Sequence, residues 1–191
     1  MPVARILCFA GSTRNDSFNK KLAQLAANAM ESAGAEVTVI DLRDFPLPLF
    51  DEDLESNSGM PEHASRLKQL FQNHHGILIA SPEYNSSLSA VLKNALDWVS
   101  RREGNEPPKV AFLGKVAAIM SATPSGLGGI RGLSHLRSIL QAIGMHVMPD
   151  QFMLSAAHQA FDGQGNLIDA AKLDALAIQM KSFVETVEKL Q

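Results

Sequence analysis

The chain has 191 residues, of which 46% are hydrophobic and 19% charged, and a net charge of -3. These values exclude a disordered tail or a highly charged scaffold, and they give no electrostatic case for nucleic-acid binding. The single cysteine, Cys8, excludes a disulfide framework and a cysteine-cluster metal site, and the length fits one domain over residues 1–191.

Taken in chain order, short apolar runs alternate with segments of helical period. Residues 3–9 read as a strand, followed by a polar stretch at 11–17. Phe18, Leu22, Leu25, Ala26, Ala29 and Ala33 share one helical face, and Gly34 marks its stop. Residues 36–40 form a second strand. A helix carrying Leu67, Leu70, Phe71 and His74 leads into a third strand at 76–81. Leu88, Val91, Leu92, Ala95, Leu96 and Val99 make the cleanest amphipathic stripe, which leaves Lys93, Asn94 and Asp97 as a solvated face and Trp98 as a packing residue. The fourth strand is 115–120, and Ile130, Leu133, Leu136, Leu140 and Ile143 mark the helix after it. A last strand lies around 145–148, interrupted by Pro149 and continued through 152–154. Leu173, Leu176, Ala177, Met180, Phe183, Val184 and Val187 then form the closing helix.

A βα unit repeated in this way predicts a parallel sheet with helices on both faces. Strands that are apolar on consecutive residues agree, because both of their faces are covered. Two segments, 41–61 and 101–114, exceed the usual ~2–6 residue connection of α/β units and read as long loops. The apolar run at 6–9 is too short to cross a membrane and has no basic flank, so a cytoplasmic location is expected.

In an open α/β sheet, ligands sit beyond the carboxyl ends of the strands. The loop after the first strand, GSTRNDSFN at 11–19, carries hydroxyls, amides and one guanidinium and opens into a helix whose first N–H groups lack partners. That combination makes a phosphate cradle, with Asp16 turned outward; the plainer alternative is that Ser17 or Asp16 only caps the helix. After the third strand, SPEYNSS at 81–87 presents Glu83, Tyr84 and Asn85, or is an ordinary polar turn with Ser86 or Ser87 as the cap of the next helix. After the fourth, SATPSGLGG at 121–129 lets backbone approach a ligand, or simply turns.

The familiar hydrolytic patterns are missing. The six histidines show no H-E-x-x-H or similar metal spacing, Ser125 is in no G-x-S-x-G elbow, and Cys8 lies inside an apolar strand where a thiol is inert. His74 and His75, adjacent at a helix end, read as structural. No catalytic side chain or metal ligand is therefore expected; the chain reads as one that binds a reactive molecule.

Together, GSTRNDSFN at 11–19, PEYN at 82–85, LKNALDW at 92–98 and GLGG at 126–129 resemble the NADPH-dependent FMN reductase family, the flavodoxin-like group that includes quinone, chromate and azo-dye reductases. The resemblance implies an α/β fold, a flavodoxin-like three-layer sandwich with a five-stranded parallel sheet in the order 2-1-3-4-5. It implies that Ser12, Arg14, Ser17, Phe18 and Asn19 hold the FMN phosphate and ribityl chain. Pro82, Glu83, Tyr84 and Asn85 then line the isoalloxazine ring, largely through backbone groups, and Ser121 and Thr123 support it from the other loop. Asn15 and Asp16 stand where many relatives have a basic or small pair, which predicts weaker phosphate affinity. Ser86 stands where some have an aromatic residue, which predicts a more open pocket.

The same resemblance implies a ping-pong reaction. NADPH, or NADH, passes a hydride to FMN, and a quinone, azo, nitro, chromate or flavin acceptor then takes two electrons. Similar proteins are homodimers or homotetramers with flavin sites near subunit contacts, and they act on small molecules. Two other readings are a flavodoxin-like electron carrier without its own NAD(P)H site, and a non-catalytic α/β module.

Overall fold

The computed structural model describes residues 3–191. Its chain order begins with strand β1 (Arg5–Ala10), helix α1 (Phe18–Ser32) and strand β2 (Glu36–Asp41). Helices α2 (Glu52–Ser58) and α3 (Glu62–Asn73) lead to β3 (Gly76–Ala80), a short hairpin of β4 (Glu83–Tyr84) and β5 (Ser87–Leu88), and α4 (Ala90–Val99). Strand β6 (Val116–Ala122), α5 (Ile130–Ala142), β7 (His146–Val147), β8 (Phe152–Leu154) and α6 (Ala170–Lys189) complete it.

The main sheet is parallel, in the order β2-β1-β3-β6-β7, with β8 also paired to β6. Counting β7 and β8 as one interrupted edge strand, this is the expected 2-1-3-4-5 order. The interruption falls at Pro149. The amides of His146 and Met148 donate to Lys115 and Ala117, each at 2.8 Å, so Pro149 sits where an amide would face the open edge of the sheet. The strand leaves the ladder and rejoins it where Phe152 faces Met120.

Alternation along β1 sorts its side chains into two cores. Ile6, Cys8 and Ala10 face the layer of α1 and α6, whereas Leu7 and Phe9 face α3, α4 and α5. This three-layer arrangement is what the consecutive apolar residues require. Burial also pushes the Cys8 thiol's pKa well above its ordinary value, so it is an inert part of the core.

Helix α1 is rotated relative to its expected stripe. The sheet-facing side is Asn19, Leu22, Ala23, Ala26, Ala27 and Met30, while Phe18, Leu25, Ala29 and Ala33 are half-buried along the flank. Small Ala23 and Ala27 let the helix axis come close to the sheet, and close approach outweighs side-chain size here. Segment 41–61, expected to be a loop, contains a 3-10 turn at Leu42–Asp44 and all of α2, which Asp51 caps by accepting from the Asp53 amide at 2.7 Å. Segment 101–114 lacks regular structure. It is pinned by the buried Lys68 of α3, which pairs with Glu103 at 3.6 Å and with Glu106. His74 closes α3 by donating from Nδ1 to the Leu70 carbonyl at 2.6 Å while its Nε2 accepts from the Thr38 hydroxyl at 2.8 Å, a structural role. No helix among the described residues is long and apolar enough to cross a membrane.

Candidate functional site

The carboxyl ends of β1, β3 and β6 are stitched into one rim. The Gly11 amide donates to Ala80 at 2.9 Å, Ser81 to Met120 at 2.8 Å, and Thr123 to Leu154 at 3.0 Å. Above it lies a cleft that gathers Ser12, Arg14, Ser17, Phe18 and Asn19 from the first loop, Pro82, Glu83 and Tyr84 from the second, and Ala122, Thr123 and Pro124 from the third. Nine of the eleven residues singled out by sequence therefore share one concave surface. Asn85 is at the exposed tip of the hairpin, and Ser121 is buried beneath the rim with no exposed surface.

The first loop has the chemistry of an anion cradle. Ser17 occupies the N-cap position of α1 and is 4% exposed, yet its hydroxyl makes no capping bond. The amides of Phe18 and Asn19 start the helix, where no intrahelical acceptor exists. A buried hydroxyl, two leading amides and the positive end of a helix dipole thus border the same cleft as Arg14. Ser12 accepts from the Arg14 amide at 3.3 Å and keeps its own O–H for donation. Asp16 is exposed, outside the cleft lining. This donor-only set fits a phosphate dianion, and so fits the phosphate end of FMN.

Two of the polar residues in the lining are already engaged. The Asn19 side chain donates to the Ala122 carbonyl at 2.9 Å and accepts from the Ala122 amide at 2.9 Å, which ties the first loop to the third. The Glu83 carboxylate accepts from the Gly132 amide at 2.9 Å, in the first turn of α5. Glu83 therefore anchors the hairpin with its side chain while it lines the cleft. At the hairpin tip, Asn85 and Ser86 both have positive φ, the geometry of a tight two-residue turn. Ser86 then accepts from Arg131 at 2.8 Å, and His135 Nδ1 lies 3.0 Å from the Ser87 hydroxyl. The loop is thus held from α5 along its length.

Gly129 explains the glycine run. It opens α5 at φ 85°, and a Cβ there would sit 2.1 Å from the Ser121 hydroxyl oxygen. That hydroxyl has no hydrogen-bond partner among the described residues.

Sequence reasoning missed several supports. Ser89 caps α4 by accepting from Leu92 at 3.2 Å and donates to the Gly11 carbonyl at 2.6 Å, joining the hairpin's exit to the first loop. A serine directly before the apolar stripe was the available signal. Asn94, expected on a solvated face, instead donates to the Pro48 carbonyl at 2.9 Å and accepts from the Phe50 amide at 2.8 Å. Trp98 is buried and also donates to Pro48, at 2.8 Å. Lys93 and Asp97 do lie on the solvated face, where they pair at 2.6 Å. Arg43, beyond β2, donates to the Asn15 side chain and so brings a cation to the loop's far side. Among the described residues, no group of three His, Cys, Asp or Glu side chains could hold a metal ion.

A parallel α/β sheet with a donor-rich loop after its first strand, and loops after its next two central strands that line the same cleft, defines a flavodoxin-like protein. Comparison with known sequences agrees: residues 4–159 match the NADPH-dependent FMN reductase family. The chain belongs to this family and is an oxidoreductase whose cofactor is FMN and whose electron donor is NAD(P)H. It is 38% identical over 195 residues to an NADPH:quinone oxidoreductase of Arabidopsis thaliana, covering 100% of this chain and 95% of that one. It is 33% identical to an NAD(P)H-dependent FMN reductase of Pseudomonas aeruginosa, covering 98% and 97% of the two chains. Among solved structures it resembles the flavoenzyme NAD(P)H:(acceptor) oxidoreductase of Paracoccus denitrificans, with a TM-score of 0.82, 28% identity and 98% of both chains covered.

Proposed function

We propose that the whole chain acts as one FMN-binding domain that oxidises NAD(P)H and reduces a small, flat acceptor of the quinone type in a ping-pong sequence. The observation that carries this reading is the first loop: a buried N-cap hydroxyl without a cap bond, beside free helix amides and a guanidinium. When bound, FMN supplies the hydride-accepting chemistry that no side chain here offers. The residues of the chain bind and orient. Ser12, Arg14, Ser17 and the leading amides of α1 fix the phosphate. The backbone of Pro82, Glu83 and Tyr84 faces the ring, braced by Glu83 on α5. Hydride transfer needs the reacting atoms about 3–3.5 Å apart, so bracing of this kind sets the rate more than a side-chain acid would.

A flat apolar acceptor is supported by the cleft's surroundings. Tyr84, half-exposed, lines it, the loop that continues from Pro124 carries the exposed Leu127, and the exposed Ile130 opens α5. Self-association into a homodimer or homotetramer is part of the same reading, supported by an open groove between α4 and α5 that Leu88, Ala90 and Ile139 line. An absorbance spectrum of the FMN-loaded protein before and after anaerobic NADPH tests the function. Bleaching without any partner protein, followed by recovery on adding a quinone, is expected. Bound flavin that NADPH leaves oxidised would instead mark an electron carrier, and failure to bind FMN would overturn both.

A further inference from the structure

A second concave surface lies on the other side of the first loop. Ser12 and Arg14 line the cradle, whereas Thr13 between them lines a cleft of about 360 Å³. Its volume falls within the ~300–1,000 Å³ of small-molecule sites. The walls are apolar: Phe45 and Leu47 come from the segment after β2, and Val91 comes from α4. The walls are also held in place. The segment is strapped to α4 through the Pro48 carbonyl, which accepts from both Trp98 and Asn94, and Arg66 stacks 5.7 Å from the centre of the Phe45 ring.

At the mouth of this slot is the Arg43 guanidinium. It is exposed, makes no ion pair among the described residues, and has the neutral Asn15 side-chain oxygen as its partner. Of the two flanking carboxylates, Asp41 accepts from the Arg43 backbone amide at 3.0 Å but is paired through its other oxygen with Lys20 at 2.5 Å, and the adjacent Asp44 makes no ion pair with Arg43. An apolar slot takes a planar apolar group, and a guanidinium without a carboxylate takes an oxyanion in bidentate fashion. The slot shares the first loop with the cradle, Thr13 lining one and Ser12 and Arg14 the other, so the two sites are neighbours.

We propose that this cleft seats the adenosine end of NADPH and that Arg43 reads its 2′-phosphate, making Arg43 a specificity residue for NADPH over NADH. The proposal rests on the FMN reductase reading above, and its test separates the two. Calorimetry on the FMN-loaded protein would compare adenosine 2′,5′-bisphosphate with adenosine 5′-monophosphate. The bisphosphate is expected to bind roughly tenfold tighter. That ratio should fall to near one in Arg43→Ala and to an intermediate value in Arg43→Lys, whose ammonium is a point charge without the planar fork. In steady-state assays, the ratio of KM for NADPH to KM for NADH should rise about tenfold in Arg43→Ala. Equal binding of the two nucleotides by the wild-type protein overturns the proposal. So does an Arg43→Ala protein that loses FMN while keeping its preference for the bisphosphate, since the guanidinium would then serve the cradle through Asn15. A wild-type protein that discriminates the nucleotides but does not bind FMN supports the cleft and removes the flavin reading.

Discussion

Asn19 and Ala122, separated by 103 positions in sequence, exchange two hydrogen bonds of 2.9 Å, so the start of α1 and the end of β6 move as one body. Both partners are buried, and a buried backbone group left without its partner costs about 1–3 kcal/mol. Asn19→Ala should therefore lower stability by about 2–4 kcal/mol, or roughly 4–16 °C in Tm for a domain of this size. Asn19→Asp should be nearly as harmful, because a carboxylate cannot donate to the Ala122 carbonyl. A thermal melt of each variant checks this, and a shift within a degree of wild type would separate the two loops mechanically.

Ser17 distinguishes capping from ligand binding. A serine that caps a helix loses about 0.5–2 kcal/mol when replaced by alanine. Here the hydroxyl makes no cap bond, so Ser17→Ala should leave Tm close to wild type while weakening FMN binding severalfold. Arg14→Ala should weaken FMN by about tenfold and also leave the fold intact, since its guanidinium makes a single 3.5 Å contact to the exposed Asp16 carbonyl. Flavin titrations of the apoprotein read both effects. Unchanged affinity would remove the residue from the site.

Ser121 makes the opposite prediction. Its hydroxyl is buried and unpartnered below the cleft, so Ser121→Ala removes an unsatisfied polar group. Stability should rise or hold steady, and FMN affinity should not change. Gly129→Ala, by contrast, forces a methyl into that hydroxyl at φ 85° and should be strongly destabilising, by more than about 3 kcal/mol. A titration in which Ser121→Ala loses flavin would return Ser121 to the ring-supporting role expected from sequence.

The fold was legible because its signals are local. The consecutive apolar residues of β1 and the period-3.6 stripes in α4, α5 and α6 report which faces are covered, whatever the partner is. Pro149 marked the broken edge strand for the same reason. The loops carrying the cleft were legible as polar strings at strand ends. What escaped was set by distant partners. Asn94 looks solvated until Pro48, 46 positions away, arrives to meet it. That the side chains of Asn19 and Glu83 also brace the cleft, through Ala122 and Gly132, is invisible until those distant backbones arrive. Helix α2 has no buried residue, so it has no apolar stripe to announce it.

The Lys68 clamp makes the acid stability of the chain predictable. Lys68 is 1% exposed, and its ammonium holds the Glu106 carboxylate, whose pKa drops from 4.5 to about 2 despite the opposing effect of burial. A carboxylate with a lowered folded-state pKa contributes stability that is fully present above its unfolded value. That stability is lost as pH falls through the folded value, because the unfolded chain binds the proton first. Segment 101–114 should therefore loosen between pH 4.5 and about 2. In Lys68→Met the carboxylate loses its partner, so that contribution is already missing at pH 7. Chemical denaturation should accordingly show the variant to be less stable at pH 7, with a flatter dependence than wild type below pH 4.5. Parallel acid profiles for the two proteins would show that the clamp carries none of the pH dependence.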